Sequence, residues 1–222
     1  MSEWWTYRPA SFLMFSPRIY WRLFESLNDA AWPAQWVLAG TVLGWLLVRT
    51  RMPMLRAAAV LFALCWAFSA WAFLLQRFAP INWPMAYVAA AFGVQGGGLL
   101  VLAAAGRLRG AAGTARARAG VALGLWAVLG HPLLGLAFGR PWRQAEFFGL
   151  APDPTALATL AWLLLVEPVG AASRRLVRLL WIVPLAWCAI SAAMLWTLGS
   201  VQGWVVGGLA LLAAAAATRP RP

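Results

Sequence analysis

The chain has 222 residues, 63% of them hydrophobic and 11% charged, with a formal net charge of +12 and two Cys. An ordinary soluble domain is about 45–50% apolar and about 25% charged, so a soluble globular domain, a disordered chain and a disulfide scaffold are excluded. A polytopic membrane protein is indicated instead: mean hydropathy is +0.74, and all 18 basic residues are Arg, clustered between long apolar runs. Arg bounded by spans follows the positive-inside pattern rather than forming a face for polyanions, so no nucleic-acid partner is expected.

Residues 1–30 read as an extracytoplasmic segment rich in aromatics, among them Trp4, Trp5, Tyr7, Phe12, Phe15, Tyr20, Trp21 and Phe24. Ser16 before Pro17 is a helix-start signal, with Ser as cap and Pro at the first helical position. Ile19, Tyr20, Leu23, Phe24 and Leu27 then recur at helical spacing, with Arg18, Arg22, Glu25 and Asn28 mostly opposite. This predicts an interfacial amphipathic helix that anchors the bundle or forms a lid over an outward-facing site. Residues 1–30 lack a signal-peptide pattern, so the first span is expected to act as its own insertion signal.

Residues 31–218 read as a seven-helix transmembrane domain, each segment tested against about 30 Å of hydrocarbon. The segments are Ala31 to Val48, Leu55 to Gln76, Pro84 to Ala105, Ala119 to Phe138, Thr155 to Ala172, Leu179 to Leu198 and Val201 to Ala217. The fifth and seventh are short, and the last two form a hairpin. One side carries twelve Arg and no acid: Arg49, Arg51, Arg56, Arg107, Arg109, Arg116, Arg118, Arg174, Arg175, Arg178, Arg219 and Arg221. The other sets six Arg against five acids. The Arg-only side is then cytoplasmic, the N-terminus outside, and residues 219–222 a cytoplasmic tail. The expected fold class is an all-α polytopic transmembrane bundle.

Ten of the 16 Trp fall near the outer surface, which makes that rim the place to seek a ligand or partner. The odd-numbered spans begin there after Asn28 and Asp29, Asn82, Asp153 and Ser200. These residues are expected to cap the helices, and with Arg77, Arg140 and Arg143 the helix starts would suit an anion. His131 lies about 10 Å deep in the fourth span, before Pro132, and Glu167 lies in the fifth, before Pro168. An ionisable residue inside a membrane is a functional hypothesis by default. Packing for His131, and pairing of Glu167 with Arg174 or Arg175, are the ordinary alternatives. Small-residue pairs at Gly40 and Gly44, Gly93 and Gly97, and the series Gly199, Gly203 and Gly207 are expected to pack helices inside the bundle, or to form an oligomer contact. Gln95 sits among the second set.

The one densely polar loop runs from Gly139 to Thr155 and contains Arg140, Arg143, Gln144, Glu146 and Asp153. It is either the mouth of a site or a loop held by Arg–carboxylate pairs. The candidate ligand-binding set is therefore His131, Arg140, Arg143, Glu146, Asp153, Arg77 and Asn82, with Glu167 as an intramembrane proton or ion group. One His allows no His-rich metal site or bis-His haem, and no metal ligand is assigned. Cys65 and Cys188 sit mid-span without a CxxC pattern, no Lys is present for a Schiff base, and no motif marks a nucleophile. No catalytic residue is assigned, and no cofactor is evident, with quinone or lipid left open.

The stretches WWTYRP, FLMFSPRIYWRLFE, NDAAWPAQ, QRFAPINWP, GRPWRQAEFFGLAPDPT and PLAWCAISAAMLW resemble a family of bacterial polytopic inner-membrane proteins known as a domain of unknown function. The resemblance runs over nearly the whole chain. It implies a multi-pass protein of the bacterial inner membrane and carries no activity or site residue with it. Three classes of function follow from the reading. The first is an accessory or assembly component of a membrane complex, with other subunits or further copies of itself as partners besides the bilayer. The second is a transporter or channel for a small, on one reading anionic, solute. The third is a quinone- or lipid-interacting protein. A polar cavity reaching His131 from outside would favour transport, and a solid bundle with an apolar flank a complex subunit.

Overall fold

A computed structural model describes residues 15–49 and 51–218. Trp4, Trp5, Tyr7, Phe12 and the tail at 219–222 lie outside the described residues. The protein is mostly helical (78%). Helix α1 spans Pro17–Ala30, and the Ser16 side chain accepts a hydrogen bond from the Ile19 amide, so the predicted start is found. Tyr20, Phe24, Leu27 and Asn28 are buried, whereas Ile19 is exposed. Asn28 was expected on the polar face, but it follows Tyr20 and Phe24 at four-residue steps and turns inward with them. The buried rings pack on the end of the third helix: Phe24 stacks on Phe73 at 4.7 Å and Tyr20 lies 5.5 Å from Phe78.

Helix α2 (Ala34–Val48) leaves α1 at 83°. Helix α3 (Met52–Phe68) runs on as a π-helix, Ser69–Phe78. Helix α4 is Met85–Ala105. Helices α5 (Ala115–Leu125) and α6 (His131–Ala137) form one rod through the π-turn Trp126–Gly130. Helix α7 is Pro152–Leu165, α8 (Ala171–Leu179) and α9 (Ile182–Thr197) together make a 27-residue rod, and α10 is Gln202–Thr218. Four rods are long and apolar enough to cross a membrane: Met52–Phe78, Met85–Ala105, Ala115–Ala137 and Ala171–Thr197. The bent pair α1 and α2 passes the same test as a unit, and α10 is a shorter apolar helix.

The fifth predicted segment is where the sequence reading needs correction. Helix α7 ends at Leu165, and Val166–Pro168 forms strand β2, antiparallel to β1 (Leu108–Gly110) with Arg109 opposite Glu167. Pro168 has no N–H to continue a helix and drives Glu167 into extended backbone. The freed Leu165 carbonyl finds a partner just past β1, where Ala111 N donates to it at 2.8 Å. The bundle is thus not wholly helical, and half-buried Glu167 lies beyond the helix rather than inside a span.

All 14 residues of α7 are buried. Its sequence has no polar stripe, which suits a helix covered on every side. Helices α3, α5, α9 and α10 supply that cover. The approach of α5 is close at Gly120, where a Cβ would stand 2.9 Å from Leu165 Cγ and 3.0 Å from Ala161 O. Gly203 and Gly207 likewise pack against Ala192 of α9. The pairs Gly40 with Gly44 and Gly93 with Gly97 do not: a Cβ there would meet nothing within 4 Å, so they face outward from the bundle.

The two ends of the bundle differ in composition. At the sheet end Arg49 donates to Leu46 O at 2.7 Å, Arg56 to Gly106 O at 3.4 Å and Arg116 to Leu163 O at 2.8 Å. Each carbonyl lies at or just after the C-terminal turn of a helix, where cations complement the dipole. Gln95 also binds backbone, donating to Leu180 O at the break between α8 and α9. The opposite end holds the 138–151 loop and the carboxylates of Glu25, Asp29, Glu146 and Asp153, while Glu167 stays at the sheet end.

Candidate functional site

The loop between α6 and α7 turns into the bundle. Residues Ala145 to Ala151 are all buried, with Phe148 set against Phe62 at 5.4 Å. A buried loop must satisfy its backbone, and side chains do so here. Asn28 donates to Arg143 O and Ala145 O, both at 2.8 Å, Ser69 donates to Leu150 O, and Gly149 N donates to the Thr155 hydroxyl. Gly149 has φ +81°, and a Cβ there would lie 2.7 Å from Leu38 Cδ1 and 2.9 Å from Cys65 Sγ, so only glycine fits. Helix α1 grips the same loop from outside, through Gln144 on Glu25 and an Arg143–Asp29 pair at 3.5 Å.

This path brings Glu146 and Asp153 to His131. Ligand atoms of the three side chains lie within 4.8 Å of one another, and each residue is at most 2% exposed. His131 opens α6 directly after the π-turn, a helix distortion frequent at functional sites. Asp153 accepts hydrogen bonds from Trp187 Nε1 and the Ser191 hydroxyl of α9, both at 2.7 Å. Glu146 Oε1 accepts from Gln202 Nε2 of α10 and lies 3.7 Å from Arg140 Nη2, which itself donates to Gln202 Oε1. Arg140 is in turn covered by Trp21 of α1, its Cζ 3.5 Å from the ring centroid.

Burial raises the Glu146 carboxyl, but the His131 ring, the Arg140 guanidinium and the Gln202 amide outweigh it and hold the group below its ordinary value, ionised. Burial lowers the Arg140 guanidinium, and the Glu146 charge opposes that fall. On the far side of Glu146, Oε2 faces His131 Nε2 across 3.6 Å. That oxygen and both His131 ring nitrogens are buried without a hydrogen-bond partner among the described residues. Orphaned polar atoms in a buried cluster cost free energy and mark a place where a ligand adds bonds.

A model of a family of unknown function, DUF6064, matches residues 17–220, which include every member of the cluster. The chain belongs to the DUF6064 family. No curated protein and no solved structure matches it.

Of the residues singled out from sequence, this DUF6064 protein gathers His131, Arg140, Glu146 and Asp153 into one site. Arg143 stands at the surface on Asp29, and Arg77 binds Ala72 O and Ser26 near the end of α3. Half-buried Asn82 lies in the turn before α4, and Glu167 is at the sheet end. The expected helix caps are corrected. Neither Asn28 nor Asp29 caps α2, Asn82 does not cap α4, and α7 starts from Ala151, leaving Asp153 inside its first turn and turned to α9. Of these five, Ser200 alone accepts with its side chain from the start of the helix that follows it, at Gln202 N. Gln202, Trp187, Ser191, Asn28 and Trp21 were not singled out as site residues. Polar Gln202 and Ser191 within apolar runs were the available signal, but which face each helix turns inward is a tertiary matter.

A cleft of about 540 Å³ opens beside the site, lined by Asn28, Asp29, Trp32, Gln35, Trp36, Trp142, Arg143 and Phe147. It does not reach His131. Asn28 stands between the two, lining the cleft while holding the carbonyl next to Glu146.

Proposed function

We propose that the protein is a multi-pass bacterial inner-membrane protein of the transporter or channel class, with an occluded site for a small cationic solute in its outward half. Seven transits with the N-terminus outside fit the alternation of the segments and the Arg-rich sheet end, which takes the cytoplasmic side. In this arrangement α7 crosses as a short central helix with extended flanks. Irregular backbone at such depth is tolerated where protein covers it, and is common around transporter sites.

The cleft stops short of His131, so the open polar path that would favour transport is not found among the described residues; what carries the reading instead is the buried cluster of four ionisable groups beside the cleft, divided from it by the segment that Asn28 holds. Buried charges are costly, and a bundle that served only as a scaffold has no use for them. Glu146 and Asp153 outnumber Arg140, whose charge is already paired, so the site favours a cation over the anion that the outward helix starts with Arg77, Arg140 and Arg143 suggested.

Purified protein in proteoliposomes on a solid-supported membrane tests this, with concentration jumps of Na⁺, K⁺, Zn²⁺, Mn²⁺ and small organic cations. The expected result is a transient current for one of these that Glu146→Gln abolishes. No current from any of them overturns the reading.

A second reading, a component of a membrane complex, is favoured by the outward-facing pairs Gly40 with Gly44 and Gly93 with Gly97. Such faces allow close helix approach by a neighbouring chain. Stoichiometric co-purification of another chain, lost on Gly93→Leu, would support it.

A further inference from the structure

If the cluster is a binding site, as proposed above, its donor set selects among cations. We propose that His131, Glu146 and Asp153 bind a divalent first-row transition metal, of the zinc and manganese class. An imidazole with two carboxylates suits these ions, whereas magnesium and calcium favour all-oxygen sites.

Geometry supports the assignment. A tetrahedral ion with bonds of about 2.0–2.2 Å holds two donors about 3.4 Å apart. His131 Nε2 and Glu146 Oε2 stand at 3.6 Å, too far to bond each other and close to that spacing. Both atoms are buried and unpartnered, so each has a lone pair or proton with no other use. A Glu146 carboxylate with Oε1 tied to Gln202 presents Oε2 alone. Asp153 is the third donor, with a carboxylate oxygen within 4.8 Å of the other two ligand atoms.

The surrounding shell is that of a metal site. Trp187 and Ser191 orient Asp153 from α9, and Gln202 with Arg140 orients Glu146. Outer donors of this kind set the direction and basicity of the ligands. The balance of groups agrees as well: two carboxyl groups face a single guanidinium here, and a cation adds the positive charge that this buried set lacks.

The test uses the full chain in detergent, stripped with a chelator and reloaded with Zn²⁺ or Co²⁺. About one metal per chain is expected, and Co²⁺ should give visible d–d absorption with the intensity of a four- or five-coordinate site. His131→Ala should lose the metal, while Glu167→Gln at the sheet end should retain it. Ser191→Ala should weaken binding about 10–100-fold by freeing Asp153. Because removing a buried group can unfold the chain, His131→Cys serves as the positive variant. It should keep Co²⁺ and add a thiolate-to-cobalt charge-transfer band in the near ultraviolet.

A folded wild-type chain that takes up neither metal overturns the assignment, as does binding that His131→Ala and Glu146→Gln leave intact. Metal binding without any current in the proteoliposome assay would leave this assignment standing and remove the transport reading. A current carried by Na⁺ or K⁺ in a chain that binds no metal would do the reverse.

Discussion

The two ends of the bundle use arginine in opposite ways. At the sheet end Arg49, Arg56 and Arg116 reach backbone carbonyls where helices finish. At the site end Arg140 and Arg143 face Glu146 and Asp29. One end spends positive charge on the negative poles of helices and tolerates solvent. The other buries it beside carboxylates, where each charge depends on its neighbours. Loss of one arginine should therefore be nearly silent at the sheet end and severe at the site end.

The largest expected effect comes from Glu146→Leu, which leaves Arg140 half-buried without its partner. Unfolding in detergent should show a loss of about 3–5 kcal/mol, with much of it recovered in Glu146→Leu/Arg140→Met. If the double variant is no better than the single, the pair is not the unit described here.

Gly149→Ala comes next, since it combines a positive φ with contacts under 3.0 Å to Leu38 and Cys65. Overpacking of this kind costs about 1–3 kcal/mol, whereas Gly93→Ala, with open space around it, should be neutral in thermal melts. Equal melting temperatures for the two variants would contradict the account of the buried loop.

Asn28→Ala removes two hydrogen bonds to the loop, and about 1–3 kcal/mol of local stability with them. Hydrogen exchange should quicken at residues 143–147 and stay unchanged in β1 and β2. Exchange that rises equally at both ends would mean that α1 holds the whole bundle and not the site.

The smallest effect is expected for Arg56→Met, under about 1 kcal/mol, because an exposed charge is screened by solvent. Its end of the molecule is better tested by position. A Cys placed at Ala112 should resist an impermeant thiol reagent in intact cells, and one at Pro141 should react. The reverse labelling would invert the proposed topology.

Much of the helical framework was legible because apolar length is a local property. The segments at Leu55 to Gln76 and Pro84 to Ala105 differ from the observed rods mainly at their ends. The start of α1 was legible too, since Ser16 and Pro17 act within one turn. Composition and the spacing of Arg gave the chemistry of each end.

What tertiary structure decided was direction. Asn28 reads as a solvent-face residue until Tyr20 and Phe24 turn its side of α1 inward. Gly93 and Gly97 read as packing residues until α4 presents its other face to Ala63 and Trp66. Strand β2 exists because β1, some sixty residues away in sequence, offers carbonyls and amides where Pro168 ends a helix. The site is the extreme case. His131, Glu146, Asp153 and Gln202 come from the starts of three helices and a loop, and nothing local records that they meet. Periodicity carries burial, one helix at a time; convergence of four segments on one point follows only from how the helices pack.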